Sequence, residues 1–392
     1  MLSRVPRSPQ RSSSTWYAVG SGQGGQSRNP HGAFDGLRLV AAVGVLFSHS
    51  YALLGQDAKE PLVALTGGAT TIRELGVYAF FAISGYLVAQ SWTRDPSASR
   101  FMIRRGLRIL PALAFVIIVS VAIIGPLTTT LTLTDYFSSR EAWTYLTKVL
   151  IYPTQYGLPG TFEHYPFPRV VNGSLWSLRV EFVLYLAIAS LGLCGLLRRR
   201  PTIIAIAAFC VTAAAVLTET DFFNAIPFHH QVTAFFLNAA PFFIGAFLAQ
   251  DRFDARLIAA TAALFTAAAV VLIESPAFKP MLIVALPLAV ILVGRYGKCD
   301  LRRFGDYSYG IYLFAFPVQQ SVIHFFPGIQ PAGLTMIAGA VTFCCAAVSW
   351  HLIEKRALAL KPRRSEAAGS LRSASALEPA NKGRGAPLTI IG

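Results

Sequence analysis

Long apolar runs recur along the 392-residue chain, and they limit the folds open to it. A helix needs roughly 20 apolar residues to cross the hydrocarbon of a bilayer, and several runs reach that length. The runs cover residues 35–54, 75–93, 102–125, 174–197, 201–218, 231–250, 256–273, 278–294, 305–326 and 332–354. Only 14% of the residues are charged, whereas soluble domains carry about 25%. The sequence therefore predicts an all-α integral membrane protein with about ten transmembrane helices.

Successive connections between these runs alternate between many and few Lys and Arg residues. If the N-terminus is cytoplasmic, the inner connections collect most of the Lys and Arg residues, and the outer ones hold only a few. The inner set is Arg94, Arg100, Arg104, Arg105, Arg108, Arg198 to Arg200, Arg252, Arg256, Arg295, Lys298, Arg302, Arg303 and the tail from Lys355. Because Lys and Arg accumulate on the cytoplasmic side, we expect both termini in the cytoplasm. The net charge of +15 then reflects topology, and we expect no nucleic-acid partner.

The two ends of the chain and the longest connection have their own compositions. Residues 1–32 and 358–392 are rich in small, polar and basic residues and are expected to be disordered, flanking a membrane domain of residues 33–357. Residues 126–173 are rich in Tyr and Trp, so a short interfacial or re-entrant helix is expected near 140–151. The five cysteines show no CxxC spacing, which predicts neither a disulfide framework nor a metal site.

The first apolar run contains two polar side chains of special interest, Arg38 and His49. They are eleven residues apart, about three helical turns, so both leave one helix face at a separation of about 16 Å along the axis. In a membrane-spanning helix, His49 would lie well inside the hydrocarbon layer. An ionisable residue at that depth indicates a functional site. The alternative is a histidine that only hydrogen-bonds a neighbouring helix.

A cluster of arginines begins the third apolar run. Arg104 and Arg108 are four residues apart on one helix face, and Arg105 flanks them. One interpretation is purely topological, since arginines at an inner boundary fix orientation. The other is a phosphate-binding mouth on the cytoplasmic side, because the arginine fork matches phosphate geometry. The sequence leaves both open at this point.

The fourth run carries a carboxylate, Glu181, inside an apolar segment with Arg179 two residues before it. Glu181 could form a structural salt bridge, or it could orient a histidine and raise its basicity as a catalytic residue. Ser174 is seven residues earlier on the same face. In the second run, Ser84 and Gly85 predict either close helix packing or a backbone break that opens onto a cavity.

Together these segments resemble the acyltransferase-3 family of integral membrane O-acyltransferases, in its stand-alone form. The matching segments run from about residue 34 to 357. In chain order they are FDGLRLVAAVGVLFSH, FFAISGYLVAQSW, FMIRRGLRILP, NGSLWSLRVEFVLY, GDYSYGIYLFAFPV and WHLIEKRAL. One difference is that the family often has a histidine where this chain has Ala315.

The resemblance implies ten transmembrane helices in a bacterial inner membrane and transfer of an acyl group, usually acetyl, from cytosolic acyl-coenzyme A. It implies an acceptor hydroxyl on an extracytoplasmic or lipid-linked carbohydrate, with membrane lipids around the protein. By resemblance His49 is catalytic, Arg38 assists donor binding, and Arg104, Arg105 and Arg108 meet the coenzyme phosphates. The alternative function is a secondary transporter or exporter, since a polar site at mid-membrane suits that class too.

Overall fold

Ten long helices and several short ones make up the described part of the protein. The structure, a computed structural model, describes residues 32–147, 154–219, 228–250, 253–297 and 306–362. The helices are α1 (Gly32–Ala52), α2 (Pro61–Leu65), α3 (Ile72–Arg94), α4 (Ala98–Thr128), α5 (Leu133–Ser138), α6 (Arg140–Thr144), α7 (Leu175–Leu193), α8 (Arg200–Glu219), α9 (His229–Leu248), α10 (Ala255–Val271), α11 (Phe278–Tyr296), α12 (Ser308–Phe325) and α13 (Pro331–Ala359). These ranges contain no β-strand beyond a single bridge between Thr129 and Thr161.

Seven of the helices in the described ranges are long and apolar enough to cross a membrane. They are α3, α4, α7, α8, α9, α11 and α13. The expected all-α membrane architecture is therefore confirmed. The three remaining predicted runs also form helices, namely α1, α12 and the 17-residue α10, but these are not among the seven. Polar side chains lie within α1 and α12, among them Arg38, His49 and Gln319.

Ion pairs between the ends of different helices define the two ends of the bundle. Arg38 near the start of α1 and Arg108 near the start of α4 both pair with Asp306, which precedes α12. We call this the basic end. At the opposite end, Lys279 at the start of α11 pairs with Glu74 at the start of α3. Helices that begin at the two ends therefore pack antiparallel to each other, as the alternating loop charges predict.

The tightest helix packing in the bundle lies between α3 and α9. A Cβ atom at Gly85 would collide with the backbone carbonyl of Phe242, and one at Gly245 would collide with that of Ala82. Small residues allow two helix backbones to approach this closely, as they commonly do in membrane bundles. Of the two interpretations of the Ser84–Gly85 pair, close packing therefore explains Gly85, and α3 continues as a helix through it.

We expect the substitution Gly85→Ala to destabilise the protein. The new methyl group must displace the α9 backbone, and such overpacking typically costs about 1–3 kcal/mol. The measurement is the thermal midpoint of the detergent-solubilised protein. Gly106→Ala is the matched control, because its Cβ would lie 3.7 Å from Leu110, an ordinary contact. Equal midpoints for the two variants would contradict the close packing.

The connection between α4 and α7 holds two short helices, α5 and α6, where one near 140–151 was expected. Residues 148–153 lie outside the described residues, as do most of the predicted disordered arm and tail, residues 1–31 and 363–392. Tyr136 anchors this connection to the bundle, since its hydroxyl donates to the carbonyl of Val121 at 2.9 Å and its ring is fully buried. The connection thereby covers the opposite end of the bundle.

Candidate functional site

Two cavities lie inside the bundle, one towards each end. The first, which we call the basic cavity, has a volume of about 420 Å³ and contains the side chains of Arg38, Arg105 and Arg108. The second, which we call the His49 cavity, has a volume of about 500 Å³. Both volumes are in the range of small-molecule sites. The structure thus separates the predicted histidine from the predicted arginines.

The basic cavity is formed by α1, α3, α4, α7, α12 and the end of α13. Its charged lining residues are Asp35, Arg38, Arg105, Arg108, Glu181, Asp306 and Lys361. Lys361 follows α13 and lies exposed at the rim. Loss of hydration against the cavity wall, and then the positive charge of Arg108, Arg105 and Arg104, lowers the pKa of Lys361 to about 8.

Asp306 holds two of the arginines in place. Its carboxylate lies 2.6 Å from a guanidinium nitrogen of Arg108 and 3.9 Å from one of Arg38. Arg38 also bonds Asp35 at 3.2 Å, one turn earlier on the same helix. The hydroxyl of Ser308 donates to the other oxygen of Asp306 at 2.6 Å. This network fixes the positions of Arg38 and Arg108 before any ligand binds.

Arg105 differs from its neighbours because no carboxylate in the described ranges forms an ion pair with it. Its Nε is buried and has no hydrogen-bond partner there. The guanidinium instead lies over the rings of Phe101 and Tyr185, at 5.8 Å and 5.9 Å from their centroids. Buried polar groups are almost always hydrogen-bonded. Arg105 therefore has unused capacity to bind an anion in the basic cavity.

Arg104, the remaining arginine of the predicted cluster, does not line the basic cavity. It bonds Asp95 at 2.7 Å, and Arg100 bonds the other oxygen of that carboxylate at 2.6 Å. Hydrogen bonds from Arg100, with those from Arg104, hold the pKa of Asp95 well below its usual range. Asp95 lies in the turn between α3 and α4, so this cluster fixes the turn. The spacing of residues along α4 could not predict this ion pair, because Asp95 precedes α4.

Glu181 also lies in the basic cavity. It accepts hydrogen bonds from Ser84 of α3 at 2.9 Å and from Tyr185 on its own helix. Neither bond reaches His49, which lines the other cavity. The expected direct orientation of His49 by Glu181 therefore has no contact to support it. The sequence left open whether Ser84 belongs to a close helix contact or faces a cavity. Ser84 lines the basic cavity and reaches it with its hydroxyl. No break in α3 is needed for this.

His49 lines its cavity from α1. The Nδ1 atom is buried without a hydrogen-bond partner among the described residues. The ring meets Phe316 edge-on at a centroid distance of 5.5 Å. The other polar lining residues are Arg73, Glu74, Ser174 and Asn238. No group of three His, Cys, Asp or Glu residues suited to a metal occurs in the described ranges.

Two residues, Val77 and Tyr312, line both cavities and form the wall between them. The hydroxyl of Tyr312 lies 2.6 Å from that of Ser177. Its ring packs edge-on against Phe80 at a centroid distance of 5.5 Å. Arg38 and His49 thus lie on opposite sides of one wall, about three turns apart on the same helix, as their spacing predicts.

Three residues of these cavities were not singled out from the sequence. Asp306 lies at the start of the apolar run 305–326, and its signal was an acidic side chain on the same predicted side as the arginines. Asn238 is a polar residue inside an apolar run, which is itself an indication of function. Tyr312 gave no usable signal, since tyrosines are frequent in that segment. Ala315, at the position of the family's histidine, packs against Ala42 and Leu46 and lines neither cavity.

A family model and two known proteins match most of this chain. The acyltransferase-3 family model, described as an acyltransferase domain, matches residues 31–351. The O-acetyl transferase of Shigella phage Sf6 is 30% identical over 337 residues, which are 83% of this chain and 95% of the phage protein. Nodulation protein 10 of Rhizobium leguminosarum bv. viciae is 29% identical over 358 residues, 84% of this chain and 93% of that protein. No solved structure matches the chain.

The family match covers all ten long helices except the end of α13, and it includes both cavities except for Leu358 and Lys361 of the basic cavity. It also removes the support for the transporter alternative, which rested only on a polar site inside a helical bundle. The predicted resemblance is confirmed over nearly the same residues. The chain belongs to the acyltransferase-3 family and is an acyltransferase of the O-acetyltransferase type.

Proposed function

We propose that the enzyme transfers an acetyl group from cytosolic acetyl-coenzyme A to a hydroxyl of an extracytoplasmic or lipid-linked glycan. In this proposal all ten long helices cross a bacterial inner membrane, and both termini are cytoplasmic. The basic end then faces the cytosol, as the positive-inside rule requires. The observation that carries the proposal is the pair of cavities, one rich in arginine and one containing His49, that share a single wall.

The basic cavity has the chemistry that a coenzyme A donor requires. Coenzyme A carries its phosphates at one end and a slender pantetheine arm that ends in the thioester. Arg38, Arg105, Arg108 and Lys361 supply cationic donors around the cavity, and arginine forks bind phosphate oxygens in pairs. Asp306 already orders two of these side chains, so little conformational entropy is lost when a ligand binds. The uncharged arm would extend inward towards Val77 and Tyr312.

Glu181 has a different role in this proposal from the one its sequence position suggested. Its bonds to Ser84 and Tyr185 join α3 to α7 beside Arg105, and Tyr185 also lies under the Arg105 guanidinium. We therefore assign Glu181 as a positioning residue of the donor cavity. It acts on the arginine-lined site and has no direct contact with the histidine.

His49 is the proposed general base. Its Nε2 takes the proton of the acceptor hydroxyl, and the oxygen attacks the thioester carbonyl. The carbon–sulfur bond then breaks, the ester forms on the acceptor, and coenzyme A leaves as the thiolate, which takes the proton back from His49. A covalent acyl-histidine, formed by attack of Nε2 itself, is the rival chemistry. The name of the Sf6 relative, an O-acetyl transferase, supports an acetyl group and an oxygen acceptor.

Substitution of Arg105 tests the donor site. We expect Arg105→Gln to raise the apparent KM for acetyl-coenzyme A roughly tenfold to a hundredfold. This range corresponds to the loss of one charge-assisted hydrogen bond of about 1.5–3 kcal/mol. The measurement is thioester consumption in inside-out vesicles, titrated with acetyl-coenzyme A. Because Arg105 makes no ion pair in the described ranges, its loss should leave the folded structure largely intact.

Arg100→Gln is the matched control for this experiment. It removes the same charge from the same helix, but Arg100 bonds Asp95 and does not line the basic cavity. Its donor KM should stay within about twofold of the wild type, as expected for a surface charge. An unchanged donor KM in correctly inserted Arg105→Gln would contradict the assignment of the basic cavity. It would leave the arginine cluster as a topology signal only.

A further inference from the structure

Two buried polar atoms at the His49 cavity have no hydrogen-bond partner in the described ranges. They are Oγ of Ser174 and Oδ1 of Asn238. Both residues are only 2% exposed, yet both line the cavity together with His49. Buried polar atoms in folded proteins are nearly always satisfied. Their concentration at one cavity therefore points to a polar ligand there.

The orientation of the Asn238 amide leaves its oxygen for such a ligand. The amide nitrogen donates to the carbonyl of Ala234 at 2.6 Å, one turn earlier on α9. A carbonyl accepts only, so the nitrogen must face it and the oxygen must face away. Asn238 Oδ1 is thus an acceptor, which suits a hydroxyl hydrogen. The hydroxyl of Ser174, at the start of α7, can both donate and accept.

The charges of this cavity are already paired. Arg73 bonds Asp57 at 2.8 Å, and Glu74 bonds Lys279 at 2.6 Å. Glu74 also closes the capping box of α3 with Thr71. These pairs leave no excess charge to attract an anion, in contrast to Arg105 in the basic cavity. The His49 cavity is therefore suited to a neutral ligand.

The remaining wall is mostly aromatic. Tyr78, Tyr156, Phe167, Trp176, Tyr312 and Phe316 surround the polar residues. Binding pockets of this kind combine apolar and aromatic walls with a few polar groups that fix orientation. A sugar ring has the matching surface, with C–H groups on its faces and hydroxyls on its edge. The volume of about 500 Å³ is large enough for one such ring.

We infer that the His49 cavity is the acceptor subsite and binds a neutral, hydroxyl-bearing ring through Asn238 and Ser174. This inference rests on the proposed function, since it names the second substrate of the same reaction. Asn238 Oδ1 accepts one ring hydroxyl, Ser174 Oγ bonds a second, and the reacting hydroxyl meets His49 Nε2. The two oxygens lie just below the cavity surface, so a side-chain rotation of the kind common on binding completes the contacts. Both residues determine acceptor affinity and contact no donor group.

The test uses the full-length enzyme in vesicles and a defined acceptor preparation. That preparation is the lipid-linked glycan fraction extracted from a strain that lacks the gene. We expect Asn238→Leu and Ser174→Ala each to raise the apparent KM for this fraction at least tenfold. The KM for acetyl-coenzyme A should stay within twofold, which also shows that each variant is folded. Ser174→Thr, which keeps a hydroxyl, should recover most of the affinity.

The control is Ser190→Ala, the same substitution on α7 at an exposed residue that lines neither cavity. It should leave both KM values unchanged. An unchanged acceptor KM in Asn238→Leu and Ser174→Ala, with wild-type donor kinetics, would overturn the acceptor subsite while the proposed function stands. Failure of the wild-type enzyme to consume acetyl-coenzyme A with any glycan fraction would overturn the proposed function itself. The two failures are thereby distinguishable.

Discussion

Replacement of His49 by alanine is expected to lower the rate of acetyl transfer by about 10²- to 10⁴-fold, the usual contribution of a placed general base. His49 is the histidine among the lining residues of the two cavities. Its Nδ1 is buried without a partner in the described ranges, and the proposed reaction assigns the proton transfer to Nε2. Removal of the ring leaves donor binding intact, because the arginines belong to the other cavity. The effect should therefore appear in kcat, with little change in the donor KM.

Two further variants make this prediction sharper. His49→Gln keeps a hydrogen-bonding side chain of similar reach but cannot accept a proton, so it should be as inactive as His49→Ala. His351→Ala is the control, since His351 is exposed on α13, bonds Tyr307 at 3.1 Å and lines neither cavity. The measurement is transfer of labelled acetyl in membrane vesicles, normalised to inserted protein. Full activity of His49→Ala would end the general-base assignment.

A second measurement on the same proteins separates the two chemistries proposed for His49. Wild-type enzyme is mixed with labelled acetyl-coenzyme A without acceptor and then quenched. Label retained on the wild-type protein but absent from His49→Ala would indicate the acyl-histidine route. No retained label, together with rapid transfer when acceptor is present, would support direct attack by the acceptor hydroxyl.

The sequence predicted the elements of this fold well because apolar length is a local property. All ten predicted runs coincide with long helices, and α1 places Arg38 and His49 about three turns apart, as their spacing requires. Relations within one helix follow from its fixed rise and rotation. The loop charges predicted only that Arg105 and Arg108 lie on the same side of the membrane as Arg38, and the structure places all three at one cavity.

Relations between helices could not be predicted in the same way. Glu181 was expected near the histidine, but the close approach of α3 and α9 at Gly85 and the packing of α7 bring it to Ser84 instead. Arg104 was grouped with its neighbours, but Asp95 in the preceding turn pairs with it. Such partners depend on how helices rotate against each other. A single sequence with no information about contacts does not specify those rotations.

The wall between the cavities raises the question of how an acetyl group reaches His49. Val77 and Tyr312 are the residues that line both sides. Tyr312 is held by its hydrogen bond to Ser177, and its ring packs edge-on against Phe80. Val77 is a small side chain on α3, with one cavity on each side of it. In the proposed reaction the thioester must pass between these two residues.

We therefore expect Val77→Phe to block transfer without preventing donor binding. The larger ring extends into the space between the cavities and keeps the thioester away from His49. A displacement of about 1 Å at a reacting centre can already cost 10²-fold in rate, so a loss of at least that size is expected. Binding of acetyl-coenzyme A, measured directly on the solubilised protein, should stay within a few-fold of wild type because the arginines are unaltered.

Val43→Phe is the matched control for this substitution. Val43 is 50% exposed on the outer face of α1 and lines neither cavity, so the same increase in size should leave transfer unchanged. Val77→Ala should retain activity, because it only widens the passage. Normal transfer by well-inserted Val77→Phe would mean that the acetyl group reaches His49 by another route. Loss of donor binding and transfer together would instead mean that Val77→Phe acts on the donor site, and it would contradict a block confined to the passage.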